Sequence, residues 1–340
     1  MTDAGSMRIG IVGAGNMAKN VHIPCLERTD GVDIAALSDL VPERLQGVGD
    51  QFGITARYPY HAQMLEAEKL DAAFVLVEPD RLCRVALDCL ARGLHVFMEK
   101  PPGITAFQTE TLARAAADAD RILMVAFNRR YIPLIVETLR IVREVAPITQ
   151  VEGRFMKNGS AAFARGTVSS LESDTVHVVD LVRWMAGAEP ERAATVEAQY
   201  DDVVPNAWNS VVRFENGVTG VIKANYKTGG RTHTFEVHAP GASAYINLGT
   251  GGTNCEADIL IKRDTREVYS LSAVGTLKHE NIHLDGKELA GEDDFPGFYG
   301  FLQEDREFVS CVREGRQPSS NIADAVKTMR FVELLRASKI

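Results

Sequence analysis

The sequence predicts an α/β fold: a doubly wound parallel sheet over residues 1–128, then an α+β domain with a mostly antiparallel sheet over residues 129–340. Three observations carry that expectation. Short apolar runs alternate with helix-length segments through the first third of the chain. A glycine-rich turn follows the first run. Beyond Pro147 strand-like runs dominate, several separated by turn signals.

Taken in order, Arg8–Val12, Asp33–Ser38, Ala72–Val77, His95–Met98 and Ile122–Phe127 lack clean polar alternation, as strands buried on both faces do. Between them Asn16–Arg28, Pro42–Gln51, Pro79–Arg92 and Thr105–Ala119 read as helices, with Gly93 as the C-cap signal of the third. In the second domain Val151–Phe155, Ala193–Tyr200, Ser210–Phe214, Val218–Asn225, Thr232–Val237, Ala244–Asn247, Ile259–Arg263 and Glu267–Leu271 read as strands. Glu215-Asn216-Gly217, Gly229-Gly230 and Pro240-Gly241 mark turns. One helix, about Asp174–Met185, interrupts the sheet, and helices at about Tyr299–Glu314 and Ile322–Ser338 close the chain. Residues 273–296 read as a polar, irregular surface loop.

Bulk properties narrow the function. A length of 340 residues favours two domains. The net charge of -9 argues against nucleic acid or an anionic membrane as the main partner, since both would repel it. Five scattered cysteines without a CxxC pair or zinc-ligand spacing fit reduced thiols in a cytoplasmic protein. The polar N-terminus lacks a signal-peptide core, and no apolar run reaches the length of a membrane span.

Gly13-Ala14-Gly15-Asn16-Met17-Ala18 fits G-x-G-x-x-A between a strand and a helix. Gly13 permits a tight turn, Gly15 admits a pyrophosphate against the backbone, and Ala18 lets helix and strand pack closely. Phosphates would meet free N–H groups at the helix start. Asp39 ends the next strand about twenty residues on, where a carboxylate accepts from adenine-ribose hydroxyls. A 2′-phosphate beside it would be repelled by roughly 4 kcal/mol at an effective dielectric near 20. NAD is therefore expected over NADP, with Arg44 near enough in sequence to soften the preference.

Residues 99–103, Glu-Lys-Pro-Pro-Gly, follow the His95–Met98 strand. Lys100 falls at a strand's carboxyl end, where open α/β sheets bind ligands. Neighbouring strand residues point oppositely, so Glu99 faces away from Lys100 and needs its own partner. Pro101 is positioned for a cis bond after Lys100. A second cluster lies at 172–184. On one continuous helix Ser173, His177, Asp180 and Trp184 share a side, and Asp174 stands three residues before His177. A histidine beside a carboxylate suits proton transfer; a helix N-cap with a surface histidine describes the same residues.

With these motifs, AFNRRYIP at 126–133, H-x-x-D-x-x-R-W at 177–184, and the tail Phe301, Glu304, Phe308, Gly315, Pro318 and Ala323-Asp324-Ala325, nearly the whole chain resembles the glucose–fructose oxidoreductase, inositol dehydrogenase and MocA (Gfo/Idh/MocA) family. The resemblance implies an N-terminal Rossmann domain and a C-terminal domain with a large open sheet. It implies NAD or NADP, and hydride transfer at a carbinol or carbonyl carbon, commonly of sugars or polyols. Lys100 matches the lysine that contacts the reacting hydroxyl, and His177 the proton-handling histidine, with Asp174 to orient it. Cofactor contacts fall on Gly13, Gly15, Asn16, Met17, Asp39, Glu78, Pro79, Glu99 and Lys100. Arg129, Arg130 and Tyr131 lie in a segment that often reaches the substrate, alongside Asp174 and His177. Homodimers or homotetramers through the C-terminal sheet are expected.

Two departures stand out. Ser173 replaces the usual aspartate four residues before the histidine, and Glu78 replaces a Thr or Ser before Pro79. They keep two alternatives in view: a non-catalytic NAD(H)-binding sensor, and a sugar epimerase or glycosidase that recycles its NAD. The stretch Lys157–Ser170, rich in Gly, Ser and Ala, reads as a pocket cover.

Overall fold

The computed structural model describes residues 5–159, 162–163, 168–250, 252–262 and 279–340. They fall into two compact units, neither contiguous in sequence. The first comprises Met1–Asn128, Ala162–Val176 and Gly300–Glu333; the second comprises Arg129–Ala161, His177–Tyr299 and Leu334–Ile340.

The first unit is built on six parallel strands: β1 (Met7–Val12), β2 (Val32–Ser38), β3 (Arg57–Tyr58), β4 (Ala72–Val75), β5 (His95–Met98) and β6 (Leu123–Val125). Their order is β3-β2-β1-β4-β5-β6, so the chain reverses direction across the sheet between β1 and β4. That switch point is where open α/β sheets hold ligands. Every residue of β4 and β6 is buried, which is why these strands read as unbroken apolar runs. Phe74 and Phe97 stack at 4.5 Å, and Phe308 of the helix Phe301–Glu314 meets them edge-on at 5.4 and 5.7 Å. This aromatic core ties a late segment of the chain to the first sheet.

Helices Pro42–Gln51, Pro79–Ala91 and Ala106–Asp118 follow the sequence reading closely. Thr105 caps the last by accepting from the Gln108 N–H. Two features were missed: the edge strand β3, too short to show a period, and the short helix His61–Ala67, about two turns long. The expected helix Asn16–Arg28 is instead a π-helical turn, Ala18–His22, followed by an α-helix, Ile23–Glu27.

The second unit contains an eight-stranded sheet of β7 (Gln150–Asn158), β10 (Pro190–Ala198), β11 (Ala207–Phe214), β12 (Thr219–Asn225), β13 (Lys227–Ala239), β14 (Ala242–Leu248), β15 (Cys255–Lys262) and β16 (His279–Asp285). The hairpin β8 (Ala162–Phe163) and β9 (Val168–Ser169) stands apart. The sheet order is β10-β11-β12-β7-β13-β14-β15-β16, antiparallel except for the β12–β7 pair. Gly217 and Gly241 turn two of its hairpins with φ of +86°. Helix Val176–Ala186 lies on β7, where a side chain at Gly153 would collide with Val178.

Residues 279–296 correct the loop expectation: they form β16 and the short helices Gly286–Ala290 and Phe295–Phe298. As an edge strand, β16 needs only Ile282 and Leu284 as apolar alternation, too little to signal a strand among charged neighbours. The helix Pro133–Val145 was also missed. The expected strand Glu267–Leu271, the end of Ile259–Arg263 and most of the Lys157–Ser170 cover's centre lie outside the described residues. Among the described residues no helix is long and apolar enough to cross a membrane.

Candidate active site

The glycine turn sits at the switch point. Gly13 has φ +103° and donates to the Ser38 carbonyl at 2.7 Å; a side chain there would collide with the Leu76 carbonyl. Gly15 faces open space, with nothing within 4 Å of an added Cβ. Asn16 is exposed and Met17 half-buried beside it. Asp39 is stitched to the same turn: Oδ2 accepts from the Ala14 N–H and Oδ1 from the Val41 N–H, both at 2.7 Å. A cleft of about 580 Å³ opens here, lined by Gly13, Gly15, Asp39, Arg44, Tyr60 and Glu78 among others. Glu78 is exposed at the N-terminus of Pro79–Ala91, with Pro79 in its first turn. An open glycine backbone, a fixed carboxylate and an adjoining cleft fit a dinucleotide's adenosine and phosphates.

Beyond β5 the Lys100–Pro101 peptide is cis. The Lys100 ammonium donates to the Ser173 carbonyl at 3.0 Å and lies 3.8 Å from Asp174 Oδ1. Two of the expected catalytic residues, Lys100 and Asp174, are thus brought together in one unit.

The same contact corrects the expected helix at 174–185. Ser170–Ser173 is a single turn, Asp174 leaves helical geometry at φ −134°, and a new helix runs Val176–Ala186. Ser173 and Asp174 therefore do not share a continuous helix face with His177. In an unbroken helix the Ser173 carbonyl would accept from the N–H four residues on; here it accepts from Lys100. His177, buried on the second helix, belongs to the other unit.

Glu99 has the partner of its own that the sequence reading required. It is 7% exposed, and its carboxylate turns inward. Oε2 accepts from the Lys100 backbone N–H at 3.0 Å, and Oε1 lies 3.5 Å from His22 Nε2. His22 closes the π turn, wholly buried, with Nδ1 at 3.0 and 3.1 Å from the Asp305 carboxylate. Burial alone disfavours its charge, but Asp305 and then Glu99 outweigh that and hold it well above the ordinary histidine value. Glu99 is also buried, yet its hydrogen bond with His22 and the charge of Lys100 hold it below the usual carboxylate value.

Arg129 and Arg130 are both buried. Arg130 gives a two-pronged ion pair to Asp180, at 2.8 and 2.5 Å, with side chains 1% and 2% exposed. That guanidinium anchors helix Val176–Ala186. Arg129 is buried over the Phe155 ring at 5.3 Å, with Nη2 3.3 Å from His233 Nδ1. Tyr131 is half-buried. His22 and Asp305 were not foreseen: a lone histidine in a helix and an acid 283 residues away share no local pattern.

Two domain models of one family match the chain: an oxidoreductase family with NAD-binding Rossmann fold at residues 7–127, and the GFO/IDH/MocA C-terminal domain at 158–245. The chain belongs to the Gfo/Idh/MocA oxidoreductase family. Its relatives in that family include D-apiose dehydrogenase of Paraburkholderia graminis, 24% identical over 95% of this chain and 85% of that protein. Myo-inositol 2-dehydrogenase of Thermotoga maritima is 25% identical over 64% of this chain and 67% of its own length. A dehydrogenase from Chromobacterium violaceum shares the fold, with a TM-score of 0.86, 20% identity, and coverage of 98% of this chain and 96% of that one. For this Gfo/Idh/MocA oxidoreductase, the first unit is the NAD-binding Rossmann domain.

Proposed function

We propose that this oxidoreductase transfers hydride between NAD(H) and a carbinol or carbonyl carbon of a sugar, polyol or sugar derivative. The observation that carries the reading is the Lys100 ammonium, held at a strand end against the Ser173 carbonyl and Asp174. The names of the relatives, dehydrogenases of D-apiose and myo-inositol, favour a polyhydroxylated substrate.

Gly13, Gly15, Asn16, Met17, Asp39, Glu78 and Pro79 would hold the cofactor, and Asp39 favours NAD over NADP. The nicotinamide, when bound, supplies the hydride acceptor or donor. Lys100 polarises the substrate oxygen and stabilises the charge that develops on it. His177 takes the hydroxyl proton, or returns it in reduction, and proton transfer of this kind is typically worth roughly 10²–10⁴-fold in rate. Asp174 sets the position of the Lys100 ammonium. Tyr131 remains a candidate substrate contact. Association through the eight-stranded sheet is proposed as well, supported by Val211 and Tyr245, 60% and 45% exposed on its strands.

A crystal soak with NAD and pooled polyols, keto-sugars and sugar acids tests the reading. The expected density places one hydroxyl carbon at the nicotinamide with its oxygen on Lys100. Ligand bound away from Lys100 would overturn it. Persistent failure to reduce NAD or oxidise NADH with any pool member would favour the sensor alternative.

A further inference from the structure

Resting on the hydride-transfer reading, we propose that Asp305, His22 and Glu99 form a buried relay of positioning residues that fixes the peptide carrying Lys100. The chain of contacts is continuous. Asp305 accepts from His22 Nδ1 at 3.0 Å, His22 Nε2 reaches Glu99 Oε1 at 3.5 Å, and Glu99 Oε2 accepts from the Lys100 N–H at 3.0 Å. With an ionised carboxylate at each end, a doubly protonated imidazole donates to both. A charged His22 completes the relay when both acids are ionised; burial pushes the Asp305 carboxyl up, against the lowering effect of His22.

The surroundings make this arrangement costly as mere packing. His22 is wholly buried, with the rings of Phe97 and Phe74 at 5.1 and 5.9 Å and Phe301 at 6.1 Å. Buried ion pairs are frequently no more stabilising than apolar residues of similar volume. Glu304, beside Asp305 and also wholly buried, has no hydrogen bond to either carboxylate oxygen. Burial and then the nearby Asp305 charge push its carboxyl well up, towards the neutral form. The titratable groups facing His22 are Asp305 and Glu304 from the late helix and Glu99 from the β5 end, with Lys100 beyond Glu99. The relay terminates on the backbone of the residue that handles the substrate, which a merely structural ion pair has no reason to do.

Two conservative variants separate the roles. In Glu99→Gln the amide carbonyl can still accept from the Lys100 N–H, but its NH₂ then faces His22 Nε2, which accepts only when His22 is neutral. The ratio of variant to wild-type kcat should climb with pH, by at least about tenfold between pH 6 and pH 9, as His22 loses its proton. NADH affinity should stay within about threefold of wild type. In Asp305→Asn the amide can accept from a charged His22 or donate to a neutral one, so its ratio should stay flat. A flat ratio for Glu99→Gln, or parallel profiles for the two variants, would overturn the relay.

Nitrogen NMR of histidine-labelled wild type gives a readout independent of turnover and of variant folding. Both His22 nitrogens should be protonated from pH 6 to pH 8; a neutral ring at pH 7 would overturn the proposal. An inactive wild type with a doubly protonated His22 would instead indict the hydride-transfer reading alone.

Discussion

The Lys100 ammonium donates to the Ser173 carbonyl at 3.0 Å, at the point where one helix stops and another begins. A side chain from a strand end thereby does what a helix N–H would otherwise do, and the break leaves Asp174 non-helical 3.8 Å from the same ammonium. Lys100 is held from both ends: its ammonium by Ser173 and Asp174, its backbone N–H by Glu99.

Asp39 fixes the glycine turn, and the proposed preference for NAD over NADP rests on its charge. Asp39→Asn removes the negative charge that opposes a 2′-phosphate. Discrimination of NADH over NADPH should shrink by at least about tenfold, within the roughly 4 kcal/mol that two like charges at 4 Å allow. NADH affinity itself should fall. Parallel fluorescence titrations with the two dinucleotides measure both; an unchanged discrimination ratio would show that Asp39 does not set it.

Asp180 tests the anchoring role of Arg130. Asp180→Asn takes the buried guanidinium's two-pronged carboxylate away, and breaking such a pair costs about 3–5 kcal/mol. Thermal unfolding should come roughly 10 °C earlier. The KM of the folded variant should not move, since the pair is structural. A normal melting temperature with a raised KM would return Arg130 to the substrate.

Glu304 links stability to pH. Its folded pKa lies well above 4.5, so the unfolded chain releases this proton first. Stability from this group is therefore lost as pH rises from 4.5 towards the folded value. His22, also raised, contributes stability below 6.5 that is lost as pH climbs through its folded value, while Glu99, lowered, loses its contribution as pH falls. Glu304→Gln keeps a neutral group at every pH. It should raise the melting temperature by about 2–5 °C at pH 8 and leave it unchanged at pH 4.5. Equal shifts at both pH values would contradict a neutral buried acid.

Much of the first sheet was legible because its strands are buried on both faces and its helices carry their own punctuation: Pro42, Pro79, Thr105 and Gly93 mark ends that the structure keeps to within a residue. The glycine turn was legible because only glycine tolerates the +103° of residue 13 against the Leu76 carbonyl. Elements resting on few residues escaped: β3 has two, and β16 shows two alternating apolar positions at a sheet edge. The break at Asp174 escaped for a different reason. Helical spacing at 173–184 was sound locally, and a distant lysine competed for one carbonyl. The partner of Glu99 was anticipated as a need, while its identity depended on a π turn and on a helix nearly three hundred residues later.

The most direct test of the central claim is single-turnover kinetics of Lys100→Met, followed through NADH absorbance with the alcohol that the soak identifies. Hydride transfer should slow by about 10²–10⁴-fold with NADH affinity nearly unchanged. Wild-type transfer rates in the folded variant, or NADH binding lost along with turnover, would contradict the assignment of Lys100 to the substrate oxygen.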